Sequence, residues 1–452
     1  MNFDTLTWQW IILTAFGVGF IFIAPNSRSV GAFFSAVNPQ GRRPGLFLLT
    51  TSLVISWIFA KSITNAADLG RAFGLVGGVA YAAYYLSFAV AGVVIYRMRT
   101  RGGFKSLHDF LQTRFGRSAV VVFSLLIGFR LFNEVWSNTM VIGSYFGERG
   151  SPGYFAAILV FTGLTLAYTL RGGLRSSLLT DAIQMVFFGV LLFVLLGIIL
   201  QDERHTVGDY LASGSWEMSA GLNLLFVALL QVFSYPFHDS VMTDRGFISD
   251  PKTTLRSFLL AAGVGIFCLT AFSWVGIYAQ FSGAKGGSAA VEVGKMLGTV
   301  TMLAMNFIMI TSAASTLDSA FSSFSKLVVL DLGRTQKATV QRGRLAMVGL
   351  TVLGTLPVLA GPEILSATTV SGTMVMGLAP VFLLWWTRAD AWSFHLAVGV
   401  GIAVGVVLAV GAWPKGWIWF PGKYGDLLSA NLLGSALCFT FYLLPMARKY
   451  GK

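Results

Sequence analysis

Residues 182–200 read AIQMVFFGVLLFVLLGIIL, a run without a single charged side chain. A helix of that length spans roughly 30 Å, which is the thickness of the hydrocarbon core of a lipid bilayer. Backbone amides find no water in hydrocarbon and must be hydrogen-bonded within the segment, so the run predicts a transmembrane α-helix. A second uncharged run covers Leu396–Trp413. Stretches of this kind decide the fold class, which is predicted to be all-α and membrane-spanning.

The composition supports a polytopic membrane protein. Of the 452 residues, 55% are hydrophobic and only 11% are charged, whereas about a quarter of the residues in a soluble domain are charged. The apolar runs are spread almost evenly, so residues 1–452 are predicted to form a single transmembrane domain. About 13 spans follow from the apolar runs, at residues 7–24, 45–71, 73–96, 118–147, 152–170, 178–200, 219–243, 255–280, 293–328, 343–361, 363–387, 392–413 and 426–446.

The basic residues predict the orientation in the membrane. The net charge is +13, and Lys and Arg lie mostly in short loops between the apolar runs. One set of alternate loops holds roughly three times as many of them as the other, and the richer side is expected to be cytoplasmic. The N-terminus is then outside and the C-terminus inside, which requires an odd number of spans. Short loops and the lack of a targeting extension indicate a prokaryotic plasma membrane, the cell inner membrane.

Several function classes have no support in the sequence. A basic groove with interleaved aromatic residues is absent, so no nucleic acid partner is expected. A Walker sequence is also absent, so ATP is not expected to drive the protein. Neither a nucleophile–base pair nor a metal-ligand cluster with Cys and His spacing is present, so the chain is not expected to be an enzyme.

Two predicted spans are interrupted by polar residues at mid-membrane depth. The span at 45–71 contains AKSITNAAD at residues 60–68, and the span at 219–243 contains YPFHD at residues 235–239. Pro236 lacks a backbone donor and disfavours helix in the residue before it. Interrupted helices at corresponding places in two halves are typical of transporters with inverted repeats and a site at the membrane midplane. The alternative is two ordinary kinked helices.

A stripe of hydroxyl groups runs along the predicted helix at 293–328. Buried hydroxyls either replace the water shell of a hard cation or hydrogen-bond across helices. The stripe has a carboxyl at its edge, which favours the cation because an intramembrane carboxylate is costly and is a functional hypothesis by default. Helical spacing of about 100° per residue brings together Ser312, Ser315, Thr316, Ser319, Ser322 and Ser323, with Asp318 at the edge.

Other charged residues fall inside the predicted spans. Asp181 begins a long apolar helix and is either a cation or proton ligand or the partner of Arg175, about one and a half turns earlier. Arg130 and Glu134 are four residues apart on one helix and can pair with each other. Asp244-Arg245 lies at the predicted cytoplasmic end of a span, so a structural role is expected for this pair rather than a role in binding. Lys61 has no close local partner, and its candidate acids from other spans are Asp181, Asp239 and Asp318.

Three stretches resemble a known family. Gly172-Gly173 is followed by Thr180-Asp181 and Gln184, Ser315-Thr316 is followed by Asp331, and a broken helix contains Ala60, Ile63, Thr64 and Gly70. Over about residues 28–390 the chain resembles the sodium/solute symporter family, which includes the proline permease and the sodium–sugar and sialic acid symporters.

The resemblance implies the leucine-transporter-type fold, whose core consists of two inverted five-helix repeats with broken helices. Residues 1–44 would then be an extra N-terminal helix and loop, 45–200 the first repeat, 219–390 the second repeat, and 391–452 two C-terminal helices.

The resemblance also implies ion and solute sites. The principal Na⁺ would be bound by the carbonyls of Ala60, Ile63 and Ser312 and the hydroxyls of Ser315 and Thr316. A possible second cation would take Asp181, Ser315, Asp318 and Ser319. Substrate positions would be Ser62, Asn65, Ala66, Tyr84 or Tyr85, Tyr235, Asp239 and Ser240.

Two residues depart from the family pattern. Asp318 replaces a serine of the relatives, and Lys61 follows Ala60 where relatives carry a small or acidic residue. An ammonium there would displace sodium or neutralise the extra aspartate, so Lys61 is a candidate coupling residue.

The predicted function is secondary active transport. One or two Na⁺ ions would drive the symport of a small polar organic solute into the cell by alternating access. A proton-coupled or ion-independent carrier on the same fold, and a solute sensor without useful flux, are the alternatives.

Overall fold

Helices form the regular secondary structure in residues 4–38, 40–333, 338–361 and 371–450, which are the residues that the computed structural model describes. Short 3-10 turns at Ala83–Tyr85 and Tyr235–His238 connect some of the helices. The α-helices are α1 (Thr5–Ile23), α2 (Val30–Ser35), α3 (Leu46–Trp57), α4 (Ala60–Phe73), α5 (Leu75–Ala82), α6 (Leu86–Thr100), α7 (Leu107–Gly143), α8 (Pro152–Gly172), α9 (Leu174–Leu200), α10 (Val207–Ala212), α11 (Leu222–Gln231), α12 (Ser240–Arg245), α13 (Pro251–Phe281), α14 (Ala289–Met296), α15 (Thr299–Lys326), α16 (Val340–Thr355), α17 (Leu378–Leu383), α18 (Ala391–Ala409) and α19 (Gly425–Tyr450).

The apolar helices confirm a multi-pass membrane protein. Among the described residues, ten helical segments are long and apolar enough to cross a membrane, and the bent pair α3–α4 gives an eleventh. Each of these segments overlaps a predicted span, and the largest difference is at α7, which begins at Leu107 rather than at the predicted residue 118. The predicted span at 219–243 is divided into α11, the turn at Tyr235–His238 and α12. The predicted span at 363–387 begins in residues 363–370, which lie outside the described residues.

The first predicted interruption is a break, but it lies just before the polar run at 60–68, which is itself helical as part of α4. Helices α3 and α4 meet at 59°, and the backbone of Ile58 and Phe59 between them is not helical. The first amides of α4 have no intrahelical partner, and the side chain of Asn138 on α7 accepts a hydrogen bond from the backbone N–H of Lys61 at 3.2 Å. The break is therefore held open by a neighbouring helix.

The second predicted interruption is also a break. Helix α11 ends at Gln231, and Pro236 lies in the 3-10 turn that follows. Helix α12 begins after Asp239, whose side chain accepts the N–H of Met242 at 3.1 Å as an N-cap. Both spans are thus discontinuous, which excludes the alternative of ordinary kinked helices.

Glycines allow α13 to pack closely against α4. A β-carbon on Gly276 would lie 1.7 Å from the carbonyl oxygen of Ala67, and one on Gly70 would lie 2.3 Å from that of Ser273. Small residues of this kind let two helix backbones approach within a membrane. The contact fixes α4, which carries many of the predicted site residues.

Replacing Gly276 by alanine (G276A) is expected to lower the stability of the protein by about 1–3 kcal/mol or more, because the new methyl group cannot fit without separating α4 from α13. The matched control is Gly263→Ala on the same helix, where a β-carbon meets nothing within 4 Å. Thermal unfolding of the detergent-purified variants measures the difference. Equal unfolding temperatures for the two variants would contradict the close packing.

Candidate functional site

Four buried charged side chains form a network beside the two helix breaks, and we call them the charge tetrad. The Lys61 ammonium is 2.8 Å from Glu134 Oε2, and Arg130 pairs with the other carboxylate oxygen of Glu134. Arg130 also contacts Asp239 Oδ2 at 3.1 Å, and the Trp57 indole N–H donates to the same oxygen at 2.7 Å. Two positive and two negative side chains therefore neutralise one another away from solvent.

The tetrad confirms one predicted pair and corrects another prediction. Arg130 and Glu134 pair along α7 as their spacing predicts. The prediction that Asp181, Asp239 or Asp318 neutralises Lys61 is wrong, because α7 places Glu134 against the first turn of α4. The idea that Lys61 neutralises the extra aspartate of α15 is wrong for the same reason.

A small aromatic cavity lies next to the tetrad. It encloses about 10 Å³, enough for about one water molecule, and is lined by Trp57, Phe59, Ser62, Tyr81, Tyr84, Tyr85 and Tyr235. The Arg130 guanidinium lies over two of these rings, 5.3 Å from the centroid of Phe59 and 5.1 Å from that of Tyr235. A cation held over aromatic faces is stabilised by the ring quadrupoles, so the tetrad and the cavity wall form one unit.

The predicted substrate residues are distributed unevenly around this cavity. Ser62, Tyr84, Tyr85 and Tyr235 line it. Asn65 reaches it through Tyr81, because Asn65 Nδ2 donates to the Tyr81 hydroxyl at 3.3 Å. The other three predicted positions, Ala66, Asp239 and Ser240, are buried but do not line it.

The hydroxyls of the cavity differ in their partners. Tyr84 donates to Gln231 Oε1 at 2.9 Å, and Tyr85 donates to the Trp57 carbonyl at 2.5 Å. The Tyr235 hydroxyl is buried and has no hydrogen-bond partner among the described residues. This hydroxyl is therefore available to a ligand.

Sequence reasoning missed Trp57, Phe59 and Tyr81. Trp57 and Phe59 are apolar residues of a predicted span and reach the cavity because they lie at the bend between α3 and α4. Tyr81 lies three residues before the predicted Tyr84 and was not distinguished from the apolar residues around it.

A larger pocket of about 440 Å³ lies on the other side of Asn65. Thr64, Asn65 and Asp68 of α4 form one wall, and Arg149 and Lys423 are also among its lining residues. We call this larger pocket the vestibule. Tyr81 of the aromatic cavity hydrogen-bonds both to Ser62 of the same cavity and to Asn65 of the vestibule wall.

The predicted principal cation residues lie on α4 and α15, which pack together. The Thr316 hydroxyl donates to the Ser312 carbonyl at 2.9 Å, and the Thr64 hydroxyl donates to the Ala60 carbonyl at 3.1 Å. Ile63 is fully buried in the same turn of α4. The Ser312 hydroxyl is buried without a hydrogen-bond partner among the described residues. Carbonyl and hydroxyl oxygens are the ligands that a hard cation such as Na⁺ prefers.

The predicted second cation residues also meet, around Asp181. The Ser315 hydroxyl donates to Asp181 Oδ1 at 2.5 Å, and Ser52 donates to Oδ2. The Arg245 guanidinium lies 3.0 Å from the same Oδ2, and both charged side chains are fully buried. Asp181 therefore pairs with Arg245 rather than with Arg175, which corrects the predicted alternative.

Asp318 lies at the other side of this cluster. Its carboxyl accepts hydrogen bonds from Ser177 at 2.7 Å, Tyr168 at 2.8 Å, Thr180 at 2.9 Å and Ser319 at 3.3 Å. Hydroxyl donors stabilise a buried carboxyl that lacks a direct ion pair. The stripe on α15 thus supplies polar partners to two carboxyls at once.

Comparison with known proteins supports the family assignment. No protein-family model matches the chain. The chain is 26% identical over 218 residues to the sodium/glucose cotransporter 1 of Ovis aries, which covers 47% of this chain and 31% of that protein. It is 23% identical over 329 residues to the urea active transporter of Saccharomyces cerevisiae, covering 61% of this chain and 43% of that protein. A urea–proton symporter of Oryza sativa subsp. japonica is 24% identical over 443 residues, which covers 83% of this chain and 60% of that protein.

A solved structure matches nearly the whole chain. The substrate-bound outward-open state of a Na⁺-coupled sialic acid symporter has a TM-score of 0.74 at 15% identity, covering 98% of this chain and 97% of that one. The predicted resemblance to the sodium/solute symporter family is confirmed. The leucine-transporter-type fold is confirmed as well, and a nucleobase–cation symport transporter in a closed conformation shares it with a TM-score of 0.55 at 13% identity, covering 93% of this chain and 95% of that one.

The matches cover only part of the length of these relatives. The chain spans about a third to two-fifths of the length of the first two relatives. These relatives are named as transporters rather than enzymes, in line with the prediction that this symporter-like chain is not an enzyme.

Proposed function

We propose that the chain is a secondary active transporter that couples the entry of a small neutral polar solute to the sodium gradient by alternating access. The single observation that carries the proposal is the first turn of α4. This turn contributes Ser62 to the aromatic cavity and also contains Ala60 and Ile63, which are predicted cation ligands. Discontinuous helices in transporters supply both kinds of contact at the membrane midplane.

The charge tetrad favours a neutral solute. Its two acidic and two basic side chains are already paired, so a charged solute would have to break a buried ion pair, which is strongly unfavourable. The cavity has room for about one water molecule in this structure, so it must widen to admit a solute, and the groups that it then presents are hydroxyls and aromatic faces. Glucose and urea, the solutes named for the relatives, are neutral and polar.

Sodium binding and solute binding are coupled through α4. A cation held between α4 and α15 fixes the helix break and thereby orients Ser62 and the ring of Phe59 in the cavity. Each ligand then raises the affinity for the other by the same factor. A membrane potential adds about 2.3 kcal/mol per charge per 100 mV to the inward driving force.

The proposed orientation places the vestibule outside the cell. Arg149 and Lys423, which line the vestibule, belong to the loops with few basic residues. The N-terminus is then outside and the C-terminus in the cytoplasm, in the plasma membrane. The solute enters past Asn65 and Tyr81 before it reaches the aromatic cavity.

Proton coupling is the second candidate. It is favoured by the extra carboxyl of Asp318 in the cation region and by the relative that is named as a urea–proton symporter. Replacement of sodium by choline separates the two candidates, because a proton-coupled protein responds equally to its solute in both salts.

Thermal stabilisation of the purified protein tests the proposal. Urea, small amides and monosaccharides serve as neutral probes, and amino acids and carboxylates serve as charged ones, each in NaCl and in choline chloride. At least one neutral probe is expected to raise the unfolding temperature in sodium and not in choline. Stabilisation by charged probes alone would contradict the assigned solute class.

Replacing Tyr235 by phenylalanine (Y235F) is expected to weaken solute binding about tenfold, because one hydrogen bond to the solute is lost. The unfolding temperature without solute should be unchanged, since the hydroxyl has no partner among the described residues. Tyr145→Phe is the matched control, because its buried hydroxyl also lacks such a partner and lies outside the cavity. Equal solute affinities of the two variants would argue against the assigned cavity.

A further inference from the structure

Arg245 ends the short helix α12 with its side chain fully buried. Its Nε donates to Ser52 Oγ at 2.7 Å and its Nη1 to the carbonyl of Val241 at 2.8 Å. Its Nη2 contacts Asp181 Oδ2 at 3.0 Å, Ser319 Oγ at 2.7 Å and Ser177 Oγ at 3.5 Å. These acceptors come from α3, α9, α12 and α15, so the guanidinium lies at the meeting point of four helices.

The oxygens around Arg245 are largely those predicted for a second cation. Asp181 and Ser319 bind the guanidinium directly. Ser315 binds the other oxygen of Asp181, and Asp318 is connected through Ser177 and Ser319. A guanidinium has donors only and therefore takes the oxygen lone pairs that a metal ion would use. The second sodium implied by the family does not fit beside it.

We infer that Arg245 is a tethered cation that holds the second cation position, so that at most one free cation binds this protein. The assignment of the remaining position to sodium rests on the proposed function, whereas the occupation of the second position by Arg245 does not. A guanidinium attached to α12 is never released, so it adds no ion to the transport cycle. It also ties α12, which follows the second helix break, to α9 and α15.

The inference predicts that removal of the guanidinium opens one additional cation position. Asp181, Ser315 and Ser319 would remain, and the loss of the arginine side chain would leave space among their oxygens for a small dehydrated monovalent ion. Arg245→Ala (R245A) makes this change alone. Arg245→Ala with Asp318→Ser removes a carboxyl together with the guanidinium, keeps the formal charge of the cluster constant, and restores the serine of the relatives.

Equilibrium binding of radioactive ²²Na⁺ to the detergent-purified full chain counts the ions per molecule, with sodium as the only probe. We expect one bound sodium ion per molecule for the unchanged protein and two for R245A. If R245A does not fold, the double variant replaces it, and the expected count is again two. Arg245→Lys keeps a cation at the position and should bind one. Arg99→Ala is the matched control, because Arg99 binds the carbonyls of Gly246 and Ser249 after α12 and not the cation cluster.

The outcomes separate this inference from the proposed function. Two sodium ions on the unchanged protein, or no gain of an ion on removal of Arg245, would overturn the inference. No sodium on the unchanged protein and one on R245A would support the inference and refute sodium coupling.

Discussion

Replacing Glu134 by glutamine (E134Q) is expected to lower the stability of the protein by about 3–5 kcal/mol and to abolish transport, because it leaves a buried positive charge without a partner. Glu134 forms ion pairs with both Lys61 and Arg130, whereas the basic side chain that Asp239 pairs with among the described residues is Arg130. All four side chains are buried. Without Glu134, the ammonium of Lys61 has no carboxylate beside it among the described residues.

The double variant Lys61→Met with Glu134→Gln tests the cause of the loss. It removes one charge of each sign and leaves Arg130 paired with Asp239, so most of the lost stability is expected to return. Differential scanning fluorimetry in detergent gives the unfolding temperatures of the single and double variants. A double variant no more stable than E134Q would show that an unpaired buried charge is not the cause of the lost stability.

Replacing Ser315 by alanine (S315A) is expected to raise the sodium concentration for half-saturation roughly 10- to 100-fold, because a hydroxyl that is a predicted ligand is removed and Asp181 loses a donor. Ser315 Oγ lies 2.5 Å from Asp181 Oδ1, so the residue connects the principal cation position to the carboxyl held by Arg245. Thr316→Ala should weaken sodium dependence in the same direction.

The matched control for S315A is Ser325→Ala. Ser325 is on the same helix and is buried, and its hydroxyl has no hydrogen-bond partner among the described residues. The dependence of the unfolding temperature on sodium concentration, with ionic strength held constant by choline, measures the effect. Unchanged sodium dependence in S315A and Thr316→Ala would contradict the assignment of the principal cation position.

Local features of the sequence predicted the elements that local forces determine. The polar run at 60–68 and Pro236 predicted that both spans are broken, although the first break lies just before the run, and the pair Arg130–Glu134 follows from spacing on one helix. The stripe on α15 follows from helical periodicity, and its burial is seen throughout residues 311–323.

Contacts between distant helices were not accessible to such reasoning. Glu134 reaches Lys61 only because α7 packs against the first turn of α4. Arg245 was assigned to the end of a predicted span with a structural role, but the structure buries its side chain completely at the end of the short helix Ser240–Arg245 and pairs it with Asp181. In both cases the missing information was the position of a broken helix relative to its neighbours.

The two buried charge clusters have different consequences for transport. In the proposed function, the tetrad beside the cavity, which is neutral as a set, restricts the solute to uncharged molecules. In the further inference, the cluster around Asp181 contains a built-in cation and restricts the number of free ions. Because α4 and α12 follow the two breaks, a movement of either helix alters the solute cavity and the cation region together.

Uptake into proteoliposomes tests sodium-coupled symport most directly. The purified chain is reconstituted, and uptake of radioactive urea, followed by any other neutral solute that stabilises the protein, is measured with an inward sodium gradient and a negative interior potential. The account predicts accumulation in sodium and its loss when choline replaces sodium. Equal uptake in choline, or accumulation driven by a pH gradient without sodium, would contradict it.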